Sequence, residues 1–218
     1  MRIGLLLLAL AAATAAFPQP SEYVAALADV APLIDGEPSD ACWQAASAPL
    51  RLFTIGGSNE PAKNDTRVRL VMDAKALYVA VEAATAPGKP PTAQVRERDG
   101  KTWNDDSIEL FVGTAFTDDS YYHLAFNALG NQMDARHAPG IAPDETMAWD
   151  GDWTVATRLA EGGWTAEARI PWSTLGSQTA PARGWVWKIK IGCDAAGYRH
   201  SMWPINQTSG FDDQACWG

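Results

Sequence analysis

Positive charge, cysteine and long apolar runs are all scarce in this chain of 218 residues. Lys and Arg together number 17 against 26 Asp and Glu, which gives a net charge of -9, and no basic run offsets it locally. An acidic protein does not attract phosphate backbones or anionic headgroups, so nucleic acid and membrane surfaces are not expected partners. With 47% apolar and 20% charged residues, the composition also excludes a disordered tail, a coiled coil and a collagen-like fibre.

The main apolar run, residues 3–13, follows Met1-Arg2 and ends in small residues. It is shorter than the ~20 residues that a membrane-spanning helix needs, and its layout is typical of a secretory signal peptide. We expect cleavage after Ala15 or Ala16 and a secreted or periplasmic product without a membrane span. The expected organisation is a signal peptide at 1–16, an N-terminal lead segment at 17–31 and one domain at 32–218.

The three cysteines allow one disulfide in an oxidising compartment. Cys193 lies in an alternating apolar segment that starts at Trp187, and this pattern predicts a buried thiol. Cys42 and Cys216 are therefore the expected pair. A bridge that closes so long a loop would contribute ~4 kcal/mol in the chain-entropy model.

Period-two alternation of apolar and polar residues is the dominant pattern, and no stretch of about ten residues shows a helical period. Only a turn after Pro171 is expected to be helical. Many short strands in one domain of this size predict an all-β fold, an antiparallel β-sandwich of the immunoglobulin or jelly-roll kind. The predicted strands are Arg67–Met72, Leu77–Val81, Ser107–Val112, Tyr121–Asn127, Trp153–Leu159, Trp164–Ile170 and Trp185–Cys193.

Catalytic and metal-binding patterns are weak. The sequence has no Gly-x-Ser-x-Gly elbow and no Cys-His signature, and Glu109 and Glu167 are the strand-borne glutamates that a glycosidase pair would require. The histidines lack zinc-ligand spacing. Acidic groups supply the oxygen atoms that calcium prefers, but none has the spacing of a known calcium-binding loop, so turn formation is the default interpretation of each. They are Asp105-Asp106, Asp118-Asp119 and Asp150-Gly151-Asp152.

An ordered series of short blocks resembles the carbohydrate-binding modules of family 9 across almost the whole expected domain. The resemblance implies a β-sandwich related to DOMON domains. It also implies binding of sugars, or of haem in other branches, structural calcium in some members and frequent association with glycoside hydrolases. The blocks are Ile34-Asp35-Gly36 with Trp43, residues 66–81, residues 103–111, Tyr122 with Asn127 and Gly130, residues 163–172, and Trp203, Phe211 and Trp217-Gly218.

The resemblance also implies a sugar site. Two aromatic rings clamp a terminal sugar in such modules, and Trp103 and Phe211 match them, although the second ring is usually a tryptophan. Aromatic rings bury the C–H patches of a pyranose while polar side chains reach its hydroxyls. Glu109 matches the acidic contact and shares a strand face with Phe111, opposite the core-facing residues. A carboxylate there accepts two hydroxyl hydrogens.

Two positions depart from the pattern of sugar-binding relatives. Ala125 stands where they carry an arginine, and Gly192 aligns with a glutamine. His123, Asn127 and Lys190 lie close enough in the alternation to supply substitute hydrogen-bond donors.

Alternative interpretations stay open for each of these residues. Most of the ten tryptophans are expected in the core, whereas Trp103 lies in a polar loop, where contact with a ligand and anchoring of the loop are equally compatible. Glu109 could instead pair with a basic side chain across a solvated face. Haem would need axial ligands, for which the candidates are Met133, Met147, Met202, His137 and His200, with Met133 and His137 the one close pair.

The function expected from the resemblance is a secreted, non-catalytic carbohydrate-binding protein. Its ligand would be a plant-type polysaccharide or oligosaccharide, and a partner glycoside hydrolase would carry out the catabolism. A haem-binding electron-transfer domain is the first alternative, and a glycoside hydrolase is the second.

Overall fold

Short strands account for most of the regular structure. The computed structural model describes residues 22–55, 60–113, 120–143, 145–182, 187–195 and 200–204. Within these residues a five-residue helix, α1 (Ala41–Ala45), and two 3-10 turns, η1 (Thr102–Asn104) and η2 (Thr146–Ala148), accompany the strands. The strands are β1 (Ala26–Leu27), β2 (Leu50–Arg51), β3 (Phe53–Thr54), β4 (Arg67–Met72), β5 (Ala76–Ala84), β6 (Ser107–Gly113), β7 (Tyr121–Asn127), β8 (Gln132–His137), β9 (Thr154–Ala160), β10 (Gly163–Pro171), β11 (Lys188–Asp194) and β12 (Ser201–Trp203).

The strands form two six-stranded sheets. The first sheet has the order β1-β4-β5-β10-β9, with β2 also paired to β4, and the second has the order β3-β12-β11-β6-β7-β8. Every pair is antiparallel except β1 with β4. Strand β6 therefore lies inside the second sheet, between β11 and β7, where both of its edges are hydrogen-bonded.

The main core lies between the two sheets. Alternate residues of β6, including Ile108 and Leu110, point into it and are fully buried. Phe126 packs edge-on against Trp164, with ring centroids 6.1 Å apart and an interplanar angle of 89°. Aromatic pairs of this geometry add to the stabilisation that comes from burial. The predicted antiparallel β-sandwich is confirmed.

Most predicted strands are found within one to three residues of their expected ends. The turn at Asp73 joins β4 to β5, and its carboxylate accepts hydrogen bonds from the backbone N–H groups of Lys75 and Ala76 at 2.7 and 2.8 Å. A helical turn follows Pro171 as expected. The sequence analysis missed β8, whose polar residues obscure its alternation. It also missed α1 and the two- and three-residue strands β1, β2, β3 and β12, which are too short to show a period.

A second, smaller cluster lies on the outer face of the first sheet. Trp43 of α1 is 2% exposed there, and it packs against Val71, Ala76, Tyr78 and Ala80. The expectation that Trp43 is buried is correct, but it covers the outside of the sheet rather than filling the space between the sheets. The expected core residues Trp164 and Trp203 do belong to the main core, and Trp187 packs against it.

Glu167 of β10 fixes the Ile-Asp-Gly segment to the same face. Its Oε2 accepts hydrogen bonds from the backbone N–H groups of Asp35 and Gly36 at 3.2 and 3.1 Å. Its Oε1 accepts one from the indole Nε1 of Trp43 at 2.8 Å. The side-chain hydroxyl of Thr165 donates to the carbonyl of Gly36 at 2.6 Å. One carboxylate thus holds the segment and α1 against the sheet.

Gly36 gives the first testable prediction. Its φ is +85°, and an added Cβ would lie 2.8 Å from the backbone carbon of Thr157. We expect Gly36→Ala to lower the free energy of unfolding by about 2–4 kcal/mol, because strain at positive φ is added to a clash with rigid backbone. Denaturant unfolding measures this loss.

Gly140→Ala is the matched control. Gly140 has a φ of +87° but no atom within 4 Å of an added Cβ. Gly140→Ala should lower the free energy of unfolding by only about 1 kcal/mol, which is the cost of the backbone conformation alone. Equal losses at the two positions would show that close approach to Thr157 does not matter.

Several sequence predictions lie outside the described residues. These are the signal peptide at 1–16, the aromatic residue Phe211 and the disulfide partner Cys216, so all three stay predictions.

In the part of the chain that the structure describes, no helix is long and apolar enough to cross a membrane. Cys193 is buried as expected, and burial raises the pKa of its thiol to about 12.

Candidate functional site

The polar residues of the second sheet lie on its outer face, where they alternate with the residues that face the core. On β6, Ser107, Glu109 and Phe111 point to this face, while Ile108 and Leu110 between them enter the core. The alternation predicted for β6 is therefore correct. Because β6 is an interior strand, Glu109 has neighbours on both adjacent strands, β7 and β11.

The direct neighbours of Glu109 are small. Glu109 lies opposite Ala125 of β7 on one side and Gly192 of β11 on the other. The same row continues to Met133 of β8 and Met202 of β12, both buried. The two departures from the family pattern thus lie on either side of Glu109, and its carboxylate stands above residues that have little or no side chain.

The diagonal neighbours of Glu109 supply its polar contacts. The Nε2 of His123 lies 2.6 Å from the Oε2 of Glu109. On the other side, Asp194 of β11 is the diagonal neighbour of Glu109 on the same face, because Asp194 pairs with Ser107 and Gly192 pairs with Glu109. Asp194 also contacts the Nδ1 of His200 and the hydroxyl of Ser107, the latter at 3.4 Å. We call Glu109 and Asp194 the carboxyl pair, which has a histidine at each end.

Burial changes the protonation of the carboxyl pair. It raises the pKa of the Glu109 carboxyl, an effect that the neighbouring Asp194 partly offsets. Burial, with the adjacent Glu109 carboxyl and its negative charge, raises the pKa of Asp194 to about 8, while His200 acts in the opposite direction. Adjacent carboxylates with little water around them disfavour double ionisation. Asp194 is a residue of the candidate site that the sequence analysis missed.

Lys190 and Phe111 complete the row next to Glu109. The Nζ of Lys190 is buried and donates a hydrogen bond to the carbonyl of Pro204 at 3.3 Å. Phe111, which lies between Lys190 and His123 in the sheet, stacks on the His123 ring with centroids 4.1 Å apart. Three predicted site residues, Glu109, His123 and Lys190, therefore lie together on one face.

Asn127 lies on the same face but anchors a loop. Its amide nitrogen donates to the carbonyl of Val95 and to Asp105, at 2.8 and 2.9 Å. Its amide oxygen accepts hydrogen bonds from the backbone N–H groups of Leu129 and Asn131. The amide group thus has two donors and an acceptor in use within the protein.

The loop before β6 is held by its aspartates. Asp105 accepts hydrogen bonds from the backbone N–H groups of Gln94 and Val95, each at 2.9 Å, and Asp106 accepts one from Thr92 at 2.5 Å. These contacts give the two carboxylates a structural role. Within the described residues no group of three or more His, Cys, Asp or Glu is placed to hold a metal ion.

Trp103 lies in η1, which packs against β6 and β7. Its side chain is 36% exposed, whereas most aromatic residues of the described chain are buried. A partly exposed ring next to a polar face can stack on a ligand without a change in the core. Phe211, the expected second ring of the clamp, lies outside the described residues.

The glycosidase pair of the sequence analysis does not form. Glu109 points outward from the second sheet, and Glu167 points outward from the first, so the whole core lies between them. A glycosidase needs its two carboxyl groups on the same side of a scissile bond, ~5–10 Å apart. Glu167, moreover, uses its oxygens to hold α1 and the Ile-Asp-Gly segment.

Met133 and His137, the close pair among the haem-ligand candidates, occupy different rows of the second sheet. Met133 is fully buried in the Glu109 row, whereas the His137 ring stacks on Tyr121, two rows further along, with centroids 4.3 Å apart.

Past the end of β8 lies a cavity of about 460 Å³. Its lining residues are His137, Ala138, Pro139, Ile141, Pro143 and Thr146.

The fold and the polar outer face define a β-sandwich domain with a candidate ligand site on one sheet. Residues 34–218 match the model of the family described as "Carbohydrate family 9 binding domain-like", and the chain belongs to this family. A comparison with curated proteins gave no match. The family assignment confirms the resemblance found in the sequence.

Solved structures with a similar fold include three with carbohydrate-related descriptions. A candidate carbohydrate-binding protein from Bacteroides uniformis is 17% identical, with a TM-score of 0.68, over 90% of this chain and 95% of that one. A family 9 carbohydrate-binding module from Caldicellulosiruptor kristjanssonii in complex with cellotriose is 18% identical, with a TM-score of 0.59, over 90% and 88%. The module from the same organism in complex with glucose is 19% identical, with a TM-score of 0.61, over 90% and 92%. At these identities the likeness establishes the fold.

Proposed function

We propose that the protein is a secreted, non-catalytic carbohydrate-binding protein that holds a plant-type oligosaccharide or polysaccharide chain for a partner glycoside hydrolase. The site is the outer face of the second sheet around Glu109. Membership of the family supports the carbohydrate-binding class. The glucose and cellotriose bound by the Caldicellulosiruptor modules favour a glucose-based ligand.

The observation that carries the proposal is the position of Glu109. Glu109 is 5% exposed, and its direct neighbours in the sheet are Ala125 and Gly192. Ala125 and Gly192 carry no polar side-chain atom, so they do not compete with a ligand for the carboxylate, and the low local dielectric strengthens its hydrogen bonds with hydroxyl groups. His123 orients the carboxylate from one side, at 2.6 Å.

Two aromatic residues, Trp103 and Phe211, are proposed to stack on the sugar. Trp103 is 36% exposed at the start of β6 and offers a ring face to the C–H patch of a pyranose. Phe211 is proposed as the second ring from the family resemblance. We assign no direct sugar contact to Asn127, because its amide already holds the loop at Val95 and Asp105.

Export and the partner enzyme are proposed from the sequence. The charged start and short apolar run at residues 1–16 favour a secretory signal peptide. A binding domain without a catalytic pair of its own increases the local concentration of an enzyme on its substrate. N-terminal sequencing of the exported protein is expected to give Ala16 or Phe17 as the first residue.

Calorimetric titration with glucose, cellobiose, cellotriose and xylobiose tests the sugar site. We expect saturable binding of at least one glucose-based ligand and a loss of about tenfold or more in affinity for Trp103→Ala, because the variant removes a stacking surface. Leu159→Ala is the matched control, since Leu159 is a large apolar residue of the first sheet that is 56% exposed. No binding to any sugar by folded protein would refute the proposed function.

A further inference from the structure

The cavity past the end of β8 adjoins the face of the second sheet that carries Glu109. Its lining begins at His137, the last residue of β8. Met133 and His137 lie on the same side of β8, because they pair with Ala125 and Tyr121 on the outward face of β7. Met133 is in the Glu109 row and His137 is four residues further along, so the cavity lies roughly 13 Å from that row along the strand.

The cavity has the size and the lining of a site for a ring with apolar faces. Its volume of about 460 Å³ is within the range of ~300–1,000 Å³ that ligand pockets occupy. Pro139, Ile141 and Pro143 supply apolar surface, and the imidazole of His137 adds polar ring nitrogens. A pyranose has C–H patches on its faces and hydroxyl groups at its rim, so its chemistry matches both parts of the lining.

Contacts within the protein hold the lining of the cavity in place. The His137 ring stacks on Tyr121, with centroids 4.3 Å apart and an interplanar angle of 9°. Thr146 is buried at the other end of the lining segment, and its hydroxyl donates a hydrogen bond to the carbonyl of Pro143 at 2.8 Å. Because these groups are already ordered, a ligand that enters the cavity loses little affinity to ordering of the protein.

We propose that this cavity is a second carbohydrate subsite, which takes one sugar residue of a chain while another residue of the same chain lies at Glu109. This inference rests on the proposed function. A single pyranose at Glu109 does not reach the cavity, whereas a linear oligosaccharide of several residues does. The protein therefore binds long chains more tightly than disaccharides, and the cavity is the origin of that preference.

Calorimetric titration with cellobiose and cellohexaose tests the preference for length, with the corresponding xylose-based pair in their place if xylobiose binds more tightly. We expect the native protein to bind the hexasaccharide about tenfold more tightly, because only the longer ligand adds contacts in the cavity. Ile141→Arg puts a long charged side chain into the lining and should remove this gain while it leaves the affinity for the disaccharide unchanged. Ala142→Arg is the matched control, since Ala142 is the next residue, is exposed and is not part of the lining.

Proton NMR of the native protein locates the contact without a variant. The chain has three histidines, so the ring C–H resonances of His137 can be assigned among few signals. We expect the hexasaccharide to shift the His137 ring resonances at saturation, because a sugar residue then lies against the lining. The disaccharide, which does not reach the cavity from Glu109, should leave them unchanged.

The outcomes separate this inference from the proposed function. Equal affinities for the two sugars, or a gain with length that Ile141→Arg retains, would overturn the subsite and leave the proposed function standing. Unchanged His137 resonances at saturation with the hexasaccharide would do the same. If the folded protein bound no sugar of either series, the proposed function would be refuted and the subsite with it.

Discussion

Replacing Glu109 with glutamine is expected to weaken sugar binding by about 100-fold. Glutamine keeps the size of the side chain but offers one acceptor oxygen instead of two and no negative charge. Each hydrogen bond to a charged group contributes about 1.5–3 kcal/mol, and about 1.4 kcal/mol is a tenfold change in affinity, so the loss of one or two such bonds predicts this result. Calorimetric titration of cellobiose at pH 7 measures it.

Glu82→Gln is the control for this substitution. Glu82 also points outward from a strand, but from the first sheet, and its carboxylate pairs with Arg69 at 3.1 Å. The control should bind sugar with native affinity. If Glu109→Gln kept its Tm and bound within threefold of the native protein, the sugar site would have to lie elsewhere on the domain.

Replacing Glu167 with glutamine is expected to lower the free energy of unfolding by about 3 kcal/mol, because a buried acceptor is lost and its donors remain. The Oε2 atom accepts from both Asp35 and Gly36, and an amide group has only one oxygen to serve these donors and Trp43. Glu167 is fully buried, so water does not replace the missing acceptor. Urea unfolding gives the loss directly.

Glu37→Gln separates this effect from a general loss of charge. Glu37 is next to the same segment, but its side chain is 56% exposed and pairs with Arg158 on the surface. Exposed ion pairs contribute about 0–1 kcal/mol, so the control should stay within 1 kcal/mol of the native protein. If Glu167→Gln lowered the free energy of unfolding by no more than the control does, the three hydrogen bonds would not hold the segment.

Alternation of side chains predicts much of this fold because most strands have one face in the core. The pattern at Ser107–Val112 gave both the strand and the outward direction of Glu109, and Tyr121–Asn127 gave β7 without error. The helix α1 has five residues and no room for a period. Strand β8 was missed because Asp134, a charged residue, is fully buried and so breaks the expected alternation. It accepts hydrogen bonds from Arg98 and from the indole of Trp153.

Alternation of side chains also predicts part of the candidate site. Glu109, His123 and Lys190 follow from alternation within single strands. Asp194 could have been found by extending the β11 alternation one residue past Cys193, which places it on the face of Lys190. The pairing of Glu109 with Ala125 and Gly192 needs the order and register of three strands, and a single sequence does not contain that information.

The contact between Glu167 and the Ile-Asp-Gly segment bears on how ligands are assigned to relatives of this protein. Some of the residues by which the sequence resembles the family, Ile34 to Gly36 with Trp43 and Glu167, meet on the side of the sandwich opposite Glu109. Their hydrogen bonds hold the segment and α1 against the first sheet, which is a structural role. A chain can therefore match these blocks while its other sheet binds a different ligand, so these blocks transfer the scaffold and not the sugar.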